Sequence, residues 1–224
     1  MVEVKGFIFD LDGTLLDTLD DIVDAGNNVL RKLGIAFVEK EKFREFIGDG
    51  VRELFRRLLE YRGGFSDEKL LLAISMMKEE YSKNYLNKTK PYDGVYETLV
   101  FLKERGFKLS VLSNKQHFFT KELVSHFFRG IDFVSVIGIE NPDDRKPNPR
   151  LAVEIAKIMN LEPREIFLVG DSATDILTAK NAGMRSVGVT WGFKTENEII
   201  SANPDYIVHT PKEISKIVCS DTFN

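Results

Sequence analysis

The sequence contains little cysteine, no excess of basic residues and no long apolar run. Its 224 residues include one cysteine, Cys219, which excludes a disulfide framework and any cysteine-based zinc site. Lysine and arginine total 31 against 35 acidic residues, a formal net charge of −4, so we expect no nucleic-acid partner. No apolar run approaches the ~18–20 residues of a membrane span, and the short run before Asp10 is not a signal peptide. The sequence predicts a soluble, cytoplasmic protein without membrane association.

The composition is that of an ordinary globular protein. Apolar residues make up 43% of the chain and charged residues 29%, which excludes disordered and fibrous classes. A length of 224 residues allows one large domain or two small ones. The sequence does not define an oligomeric state, and a monomer is compatible with it.

Short β-rich runs alternate with helical patterns from about residue 94 onward. Because both faces of these runs are apolar, they indicate strands that are covered on both sides, as in parallel sheets. Strand–helix alternation predicts right-handed βαβ units in one parallel sheet, an α/β fold of the Rossmann-like type. The predicted strands are residues 6–9, 107–112, 133–137, 166–169, 186–189 and 206–208.

A long helical insertion follows the first predicted strand. Residues 19–86 show helical periodicity, for example Ile22, Ala25 and Val29 on one face, and a third helix is expected to begin near Ser66. So many helical residues are too long for a simple crossover. We therefore predict a separate helical domain at residues 17–90, inserted into a core formed by residues 1–16 and 91–224. A single continuous domain with long helices is the less favoured alternative.

Polar and charged residues follow the predicted strands where each strand ends. In open parallel sheets the ligand site lies at the carboxyl ends of the strands, so these residues are expected to converge. Clustered carboxylates need a cation, and oxygen ligands without nearby His or Cys point to Mg²⁺. Mg²⁺, lysine and short polar donors together suit a phosphoryl group. The residues are Asp10, Asp12, Ser113, Asn114, Lys115, Lys146, Asp171 and Asp175.

Asp10 and Asp12 are two residues apart, so on an extended strand their side chains share a face. One carboxylate can attack phosphorus while the other, protonated, serves the leaving oxygen. An Asp-x-Asp pair alone is usually a solvated turn. The prediction of an active site depends on several such short motifs, which occur in order at the same edge of the sheet.

In these motifs the sequence resembles the haloacid-dehalogenase superfamily of phosphohydrolases. The matching motifs are Asp-x-Asp-Gly-Thr at 10–14, Ser-Asn at 113–114, Lys146, and Gly-Asp-Ser-x-x-Asp at 170–175. The resemblance covers essentially the whole chain and includes a helical cap inserted after the first motif, which matches the predicted insertion at 17–90.

The resemblance implies a role for each carboxylate. Asp10 is the expected nucleophile, which forms an aspartyl-phosphate, and Asp12 is the expected general acid and then general base. Mg²⁺ would be held by the carboxylates of Asp10 and Asp171 and by the backbone carbonyl of Asp12. Asp175 would orient the metal end of the site from outside the ligand shell.

The resemblance also implies how phosphate is bound. Ser113 and the backbone amide of Asn114 would bind phosphate oxygens, and Lys146 would neutralise charge on the phosphate and the nucleophile. True dehalogenases of the superfamily lack the acid at the position of Asp12 and need no metal. Its presence here therefore favours phosphate chemistry.

The substrate prediction depends on a loop in the helical insertion. The Gly-x-Gly-x-Arg loop that contains Gly48 and Arg52 looks most like that of phosphoglycolate phosphatases, although spacing alone favours a plain helix–helix connection. Arg52 either pairs with a substrate carboxylate or is a solvated helix residue. The expected partner is a small organic phosphate, with phosphoglycolate favoured. The alternatives are a sugar phosphomutase, a pyrophosphatase and, from another class, a receiver-like phospho-signalling module.

Overall fold

The structure is a computed structural model that describes residues 3–221, with side chains up to residue 218. The side chain of Cys219 thus lies outside the described residues. Strands alternate with helices along most of this range. The strands are β1 (Gly6–Phe9), β2 (Leu16–Asp17), β3 (Lys90–Pro91), β4 (Lys108–Gln116), β5 (Ser135–Ile139), β6 (Ile166–Gly170), β7 (Arg185–Val189) and β8 (Tyr206–Val208).

The helices fall into two groups along the chain, one before β3 and one after it. The first group is α1 (Leu19–Lys32), α2 (Lys40–Phe46), α3 (Gly50–Tyr61) and α4 (Asp67–Asn84). The second group is α5 (Val95–Glu104), α6 (His117–Phe127), α7 (Arg150–Met159), α8 (Ala173–Ala182), α9 (Glu196–Ser201) and α10 (Pro211–Asp221).

One six-stranded parallel sheet forms the centre of the fold, in the order β5-β4-β1-β6-β7-β8. Phe9 at the end of β1 pairs with Val111 of β4 on one side and Val169 of β6 on the other. The chain builds the sheet outward from β1 in both directions, so the end of β1 lies at the topological switch point. This arrangement confirms the predicted α/β fold with a Rossmann-like parallel sheet.

The strand predicted at residues 107–112, ending at Ser113, corresponds to β4. Its predicted end is wrong, because β4 continues to Gln116. The pairing with β5 shifts register after Leu112 and resumes where Gln116 pairs with Ile139. This second pairing keeps the backbone extended through Ser113 and Lys115. Residues that were expected in a loop therefore lie on a strand.

The sheet is buried on both faces, as the apolar runs predict. Phe7 packs its ring against those of Phe9 and Phe167, with centroids 5.8 and 5.6 Å apart. Ile8 points to the opposite face because side chains alternate along a strand. There it joins a buried cluster that includes Ile155 of α7 and Ala179 of α8.

The chain divides into two compact units. One unit comprises Met1–Leu16 and Pro91–Asn224, and the other comprises Asp17–Lys90. The short strands β2 and β3 pair with each other as a two-stranded sheet where the chain passes from one unit to the other.

The unit at Asp17–Lys90 is helical and has an internal core of its own. The sequence predicts a helix around Ile22 and a third helix near Ser66 but contains no separate prediction for α2. Phe43 of α2 is fully buried against Gly26, where a Cβ would press on its ring. Helix α4 begins as predicted, with the Ser66 side chain accepting a hydrogen bond from the backbone N–H of Lys69.

A single carboxylate joins the beginning and the end of this helical unit. Asp21, 1% exposed, accepts hydrogen bonds from the backbone N–H groups of Lys88 and Thr89 and from the Thr89 hydroxyl, at 2.8–3.0 Å. The first turn of α1 is thereby fixed to the segment that leads into β3.

Among the described residues, no helix is long and apolar enough to cross a lipid bilayer.

Candidate active site

Asp10 follows β1 at the switch point of the sheet and starts a tight turn. Its backbone N–H donates to the carbonyl of Val169 at 2.9 Å, which continues the parallel pairing for one more residue. The chain then turns back, with the N–H groups of Leu15 and Leu16 both donating to the carbonyl of Leu11. Gly13 sits in this turn with φ +85°, and a Cβ there would overlap the Asp171 carboxylate. The glycine therefore serves both the turn and the close approach.

Lys146 is buried between two carboxylates. Its Nζ atom lies 2.8 Å from Oδ1 of Asp10 and 2.5 Å from Oδ1 of Asp175, and it also donates to the carbonyl of Leu112 at 3.2 Å. Burial acts to lower the pKa of Lys146, but Asp10 and Asp175 outweigh it and raise the pKa above its usual value. The two carboxylates therefore favour the protonated, positively charged form of Lys146 beside Asp10.

The backbone around Lys146 is fixed by the side chain of Asn114. The Asn114 carboxamide oxygen accepts from the backbone N–H of Lys146 at 2.8 Å, and its amide nitrogen donates to the carbonyl of Lys146 at 3.3 Å. The following peptide bond, Lys146–Pro147, is cis. Since both functional ends of the carboxamide are used here, the Asn114 side chain positions Lys146.

Asp171 comes directly after β6 and is 3% exposed. Its Oδ2 atom accepts a hydrogen bond from the backbone N–H of Phe193 at 2.6 Å. Burial raises the pKa of Asp171 to about 7, with Asp175 acting in the same direction and the Phe193 N–H and Lys146 opposing them. The Phe193 amide thus holds one carboxylate oxygen and fixes the orientation of the other.

Asp175 lies in the first turn of α8 and has a partner for each of its oxygens. Oδ1 contacts Lys146, and Oδ2 accepts from the backbone N–H and the hydroxyl of Ser172 at 3.2 and 2.5 Å. Ser172 in turn caps the helix by accepting from the N–H of Asp175. This reciprocal cap fixes the carboxylate that holds Lys146.

Three buried carboxylates come together in a group that suits a metal ion. Asp10, Asp171 and Asp175 each place an oxygen within 4.8 Å of the other two. Burial, against the opposing charge of Lys146 and together with the carboxylates of Asp175 and Asp171, raises the pKa of Asp10 to about 8. Such repulsion is what a bound cation relieves. Oxygen donors without His or Cys are the set that Mg²⁺ prefers.

Asp12 points its carboxylate toward Lys115 on β4. The Nζ atom of Lys115 lies 3.0 Å from Oδ1 and 2.9 Å from Oδ2, and the two side chains are 8% and 15% exposed. Together with Asp10, Asp171 and Asp175, Asp12 makes four carboxylates against the two ammonium groups of Lys115 and Lys146. With all four carboxylates ionised, two negative charges remain, which is the charge that one divalent cation neutralises.

Ser113 and Asn114 lie on β4, next to β1, and are 1% and 7% exposed. The Ser113 hydroxyl accepts from the backbone N–H of Lys115 at 3.2 Å. The structure therefore places the eight residues that were expected to converge at one edge of the sheet: Asp10, Asp12, Ser113, Asn114, Lys115, Lys146, Asp171 and Asp175.

The loop after β7 takes part in the site in a way that the sequence did not reveal. Trp191 donates its indole N–H to the carbonyl of Thr14 at 3.1 Å, and Phe193 donates to Asp171. Between them, a Cβ on Gly192 would overlap the backbone of Gly13 and the side chain of Asp171. These contacts come from an indole N–H, a backbone N–H and a glycine, so no charged residue in the sequence predicts them.

Gly48 and Arg52 lie in the other unit, at the connection between α2 and α3. Gly48 has φ +126°, which favours glycine at this position. Arg57 fixes the loop by donating to Oδ2 of Asp49 at 2.6 Å and to the carbonyl of Phe46 at 3.0 Å. Arg52 is exposed in the first turn of α3.

The fold and this arrangement of carboxylates and lysine define a class of hydrolase. Residues 7–189 match the family model described as haloacid dehalogenase-like hydrolase, and the chain belongs to this family. The expectation that the chain is an enzyme of this superfamily is therefore confirmed.

Several proteins with similar sequences or structures are named phosphoglycolate phosphatases. The chain is 31% identical to phosphoglycolate phosphatases of Aquifex aeolicus, over 215 residues, and of Vibrio vulnificus, over 220 residues. Each match covers 96% of this chain, with 97% and 96% of the two relatives. A crystal structure described as a predicted phosphoglycolate phosphatase from Haemophilus somnus superposes with a TM-score of 0.89 at 29% identity, over 97% of this chain and 99% of that one. The expected resemblance to phosphoglycolate phosphatases is thereby confirmed.

Proposed function

We propose that the protein is a Mg²⁺-dependent phosphatase that hydrolyses phosphoglycolate or a closely related small phosphate monoester through an aspartyl-phosphate. The observation that carries this proposal is the ion pair of Asp10 with Lys146 inside the group formed with Asp171 and Asp175. A carboxylate beside a lysine ammonium group and a candidate cation site is equipped to attack a phosphoryl group.

Asp10 and Asp12 divide the chemistry between them in this proposal. A carboxylate oxygen of Asp10 forms a bond to phosphorus as the bond to the leaving oxygen breaks, and Asp12 gives its proton to that oxygen. In the second step Asp12 takes a proton from water as the water oxygen attacks the phosphorus of the aspartyl-phosphate, and the bond between the Asp10 oxygen and phosphorus breaks to release inorganic phosphate. Asp10 is then free and Asp12 is protonated again, so the cycle closes.

The other residues of the site are proposed to bind the phosphate and Mg²⁺ and to neutralise their charges. Lys146 keeps its positive charge beside Asp10, and Ser113 and the backbone amide of Asn114 are proposed donors to the phosphate oxygens. Asp10 and Asp171, with the backbone carbonyl of Asp12, are the proposed holders of Mg²⁺. When bound, the ion would supply charge neutralisation for the carboxylates and the phosphate. Asp175 has both oxygens committed to Lys146 and Ser172, which supports a positioning role.

The preference for phosphoglycolate is proposed from the named relatives, which span nearly the whole chain. The same resemblance supports a role for residues 17–90 as a cap, with Gly48 and Arg52 as candidates for reading the leaving group.

The proposal is tested by measuring phosphate release with and without Mg²⁺ across small phosphorylated acids, sugars, nucleotides and pyrophosphate. We expect a preference for phosphoglycolate of at least about tenfold, and loss of activity in Asp10→Asn with the fold intact by circular dichroism. Asp132→Asn removes an exposed carboxylate and is the matched control, with activity unchanged. Mass spectrometry of rapidly quenched wild type should detect a phosphoryl group on Asp10.

Other outcomes would contradict the proposal. Retained turnover in Asp10→Asn would exclude the covalent mechanism, and a flat substrate profile would exclude the phosphoglycolate preference. Isomerisation of a sugar phosphate without net phosphate release, after addition of a bisphosphate activator, would identify a phosphomutase. A stable phosphoprotein with one phosphate per chain would identify a receiver-like module.

A further inference from the structure

Lys115 is a second lysine in the site, partly buried, and the chemistry proposed above does not use it. It contacts both oxygens of Asp12, at 3.0 and 2.9 Å, and its side chain is 8% exposed. Its backbone lies on β4 between the candidate phosphate donors Ser113 and Asn114 and the end of the strand at Gln116. The extension of β4 beyond Ser113 is what brings this lysine to Asp12.

The two lysines of the site contact different carboxylates and therefore have different roles. Lys146 contacts Asp10 and Asp175 and lies on the side of the nucleophile and the candidate cation site. Lys115 contacts Asp12, the group proposed to protonate the leaving oxygen. Since Asp12 must face the leaving group, Lys115 lies on the leaving-group side.

The distances limit what Lys115 can reach. For proton transfer, the leaving oxygen must come within about 3 Å of an Asp12 oxygen. Lys115 Nζ lies 2.9 Å from Oδ2 of the same carboxylate. The leaving oxygen and Nζ are therefore within about 6 Å of each other. A carboxylate on the carbon next to the leaving oxygen can bridge this gap with an ionic hydrogen bond of about 2.8 Å.

We propose that Lys115 binds a carboxylate carried by the leaving group, so that the enzyme selects phosphate esters of 2-hydroxy acids. The proposal rests on the proposed function, because it takes Asp12 as the proton donor. An ammonium group carries three N–H donors, so Lys115 can bridge Asp12 and a substrate anion at once. Phosphoglycolate is the smallest ester of this class, and neutral alcohols of the same length offer no charge to bind.

Two other assignments compete with this one. In the first, Lys115 only positions the Asp12 carboxylate, and its loss slows every substrate alike. In the second, Arg52 of the helical unit binds the substrate carboxylate, and Lys115 has no part in selectivity. Each assignment predicts a different response to the same pair of substrates.

The experiment compares phosphoglycolate with ethyl phosphate, which has the same number of carbons and no carboxylate. The measured quantity is the ratio of kcat/KM for phosphoglycolate to kcat/KM for ethyl phosphate, in wild type, Lys115→Met, Lys115→Arg and Arg52→Met. We expect the ratio to fall roughly 10- to 100-fold in Lys115→Met, the range for loss of a charged hydrogen bond. Lys115→Arg keeps the positive charge, so its ratio should stay closer to the wild-type ratio than that of Lys115→Met.

Binding provides a readout that does not depend on turnover. In the Asp10→Asn background, calorimetric titration with each ester measures affinity alone. Addition of Lys115→Met should lower the affinity for phosphoglycolate at least about tenfold and the affinity for ethyl phosphate much less. Lys121→Met, which removes an exposed positive charge on α6, is the matched control and should leave both affinities unchanged.

The outcomes separate this proposal from the proposed function. An equal loss for both esters in Lys115→Met, or a fall of the ratio only in Arg52→Met, overturns the role of Lys115 and leaves the phosphatase assignment intact. A wild type that hydrolyses neither ester nor any other phosphate in the screen overturns the proposed function and this proposal together.

Discussion

Trp191 donates its indole N–H to the backbone carbonyl of Thr14 at 3.1 Å. This bond joins the loop after β7 to the turn that carries Asp10 and Asp12. Two residues later the same loop donates the Phe193 N–H to Asp171. A stretch of three residues thus supports both the candidate nucleophile turn and a candidate metal ligand, with Gly192 between them.

Gly192→Ala should damage the site directly. The new Cβ would overlap the carbonyl of Gly13 and the side chain of Asp171, which are backbone and a fixed carboxylate. We expect a loss of about 1–3 kcal/mol in the free energy of unfolding from overpacking. We also expect Mg²⁺ affinity to fall about 10- to 100-fold, the range for lost support of a ligand. Chemical denaturation and Mg²⁺ titration by calorimetry measure the two effects.

The control for this variant is Gly64→Ala. A Cβ at Gly64 would lie 3.2 Å from Cδ1 of Ile35, the end of a flexible side chain. Its stability and Mg²⁺ affinity should stay close to wild type. Unchanged Mg²⁺ affinity in Gly192→Ala would mean that the loop does not hold Asp171 in its ligating orientation.

Asp175→Asn should lower both stability and kcat. It removes one carboxylate from a fully buried lysine, and breaking such a pair costs about 3–5 kcal/mol. Lys146 loses the partner that holds it toward Asp10, so kcat should fall about 10- to 100-fold. Thermal unfolding and steady-state kinetics with phosphoglycolate measure the two quantities.

Ser172→Ala separates helix capping from lysine positioning. It removes the cap of α8, which costs about 1 kcal/mol, but leaves the contact of Asp175 with Lys146. We expect lower stability and a much smaller fall in kcat than in Asp175→Asn. Equal falls in kcat would show that the cap, not the ion pair, is what turnover requires.

Stabilisation by Mg²⁺ should increase from about pH 6 to about pH 8. Without metal, burial raises the pKa of Asp10 to about 8 and of Asp171 to about 7. The folded state then retains protons that the unfolded chain gives up near pH 4. Stability from these two groups is greatest at low pH and declines as the pH rises through their folded pKa values. Mg²⁺ binds the ionised carboxylates, so it offsets this loss and displaces protons.

The measurement is the shift in Tm on addition of Mg²⁺ at the two pH values. Calorimetry in buffers of different ionisation enthalpy counts the protons released. Asp10→Asn removes one of the two carboxylates and should reduce the pH dependence. A Tm shift that is the same at both pH values would show that protons and Mg²⁺ do not compete for these carboxylates.

Most of the fold was predictable because local pattern and packing agree. The runs at Gly6–Phe9 and Ile166–Gly170 are buried on both faces, and uninterrupted apolar strands of this kind occur mainly in parallel sheets. The ends of the predicted helical insertion rest on the strand signals, which stop near Leu16 and resume after Pro91. Helix α2 was missed because its seven residues bury one side chain, Phe43, and so have no apolar stripe.

The site was predictable where it uses charged side chains at strand ends. Asp10 and Asp171 follow this pattern, directly after β1 and at the end of β6, whereas Lys146 lies in the loop between β5 and α7. The role of Asn114 as a clamp on Lys146 was not predictable, because it depends on two hydrogen bonds across a long sequence separation. Lys115 was expected near the same sheet edge, but its direct contact with Asp12 was not predicted, because β4 was expected to end at Ser113. The register shift that extends β4 is a tertiary effect, set by pairing with β5.

The Asp21 carboxylate gives the helical insertion a property of its own. Because Asp21 holds Lys88 and Thr89, the insertion leaves the core and returns to it at nearly the same point. A segment whose ends already meet adds little loop-closure entropy to its host. The segment between Asp17 and Lys90 can therefore change in length and sequence over evolution while the parallel sheet keeps its register.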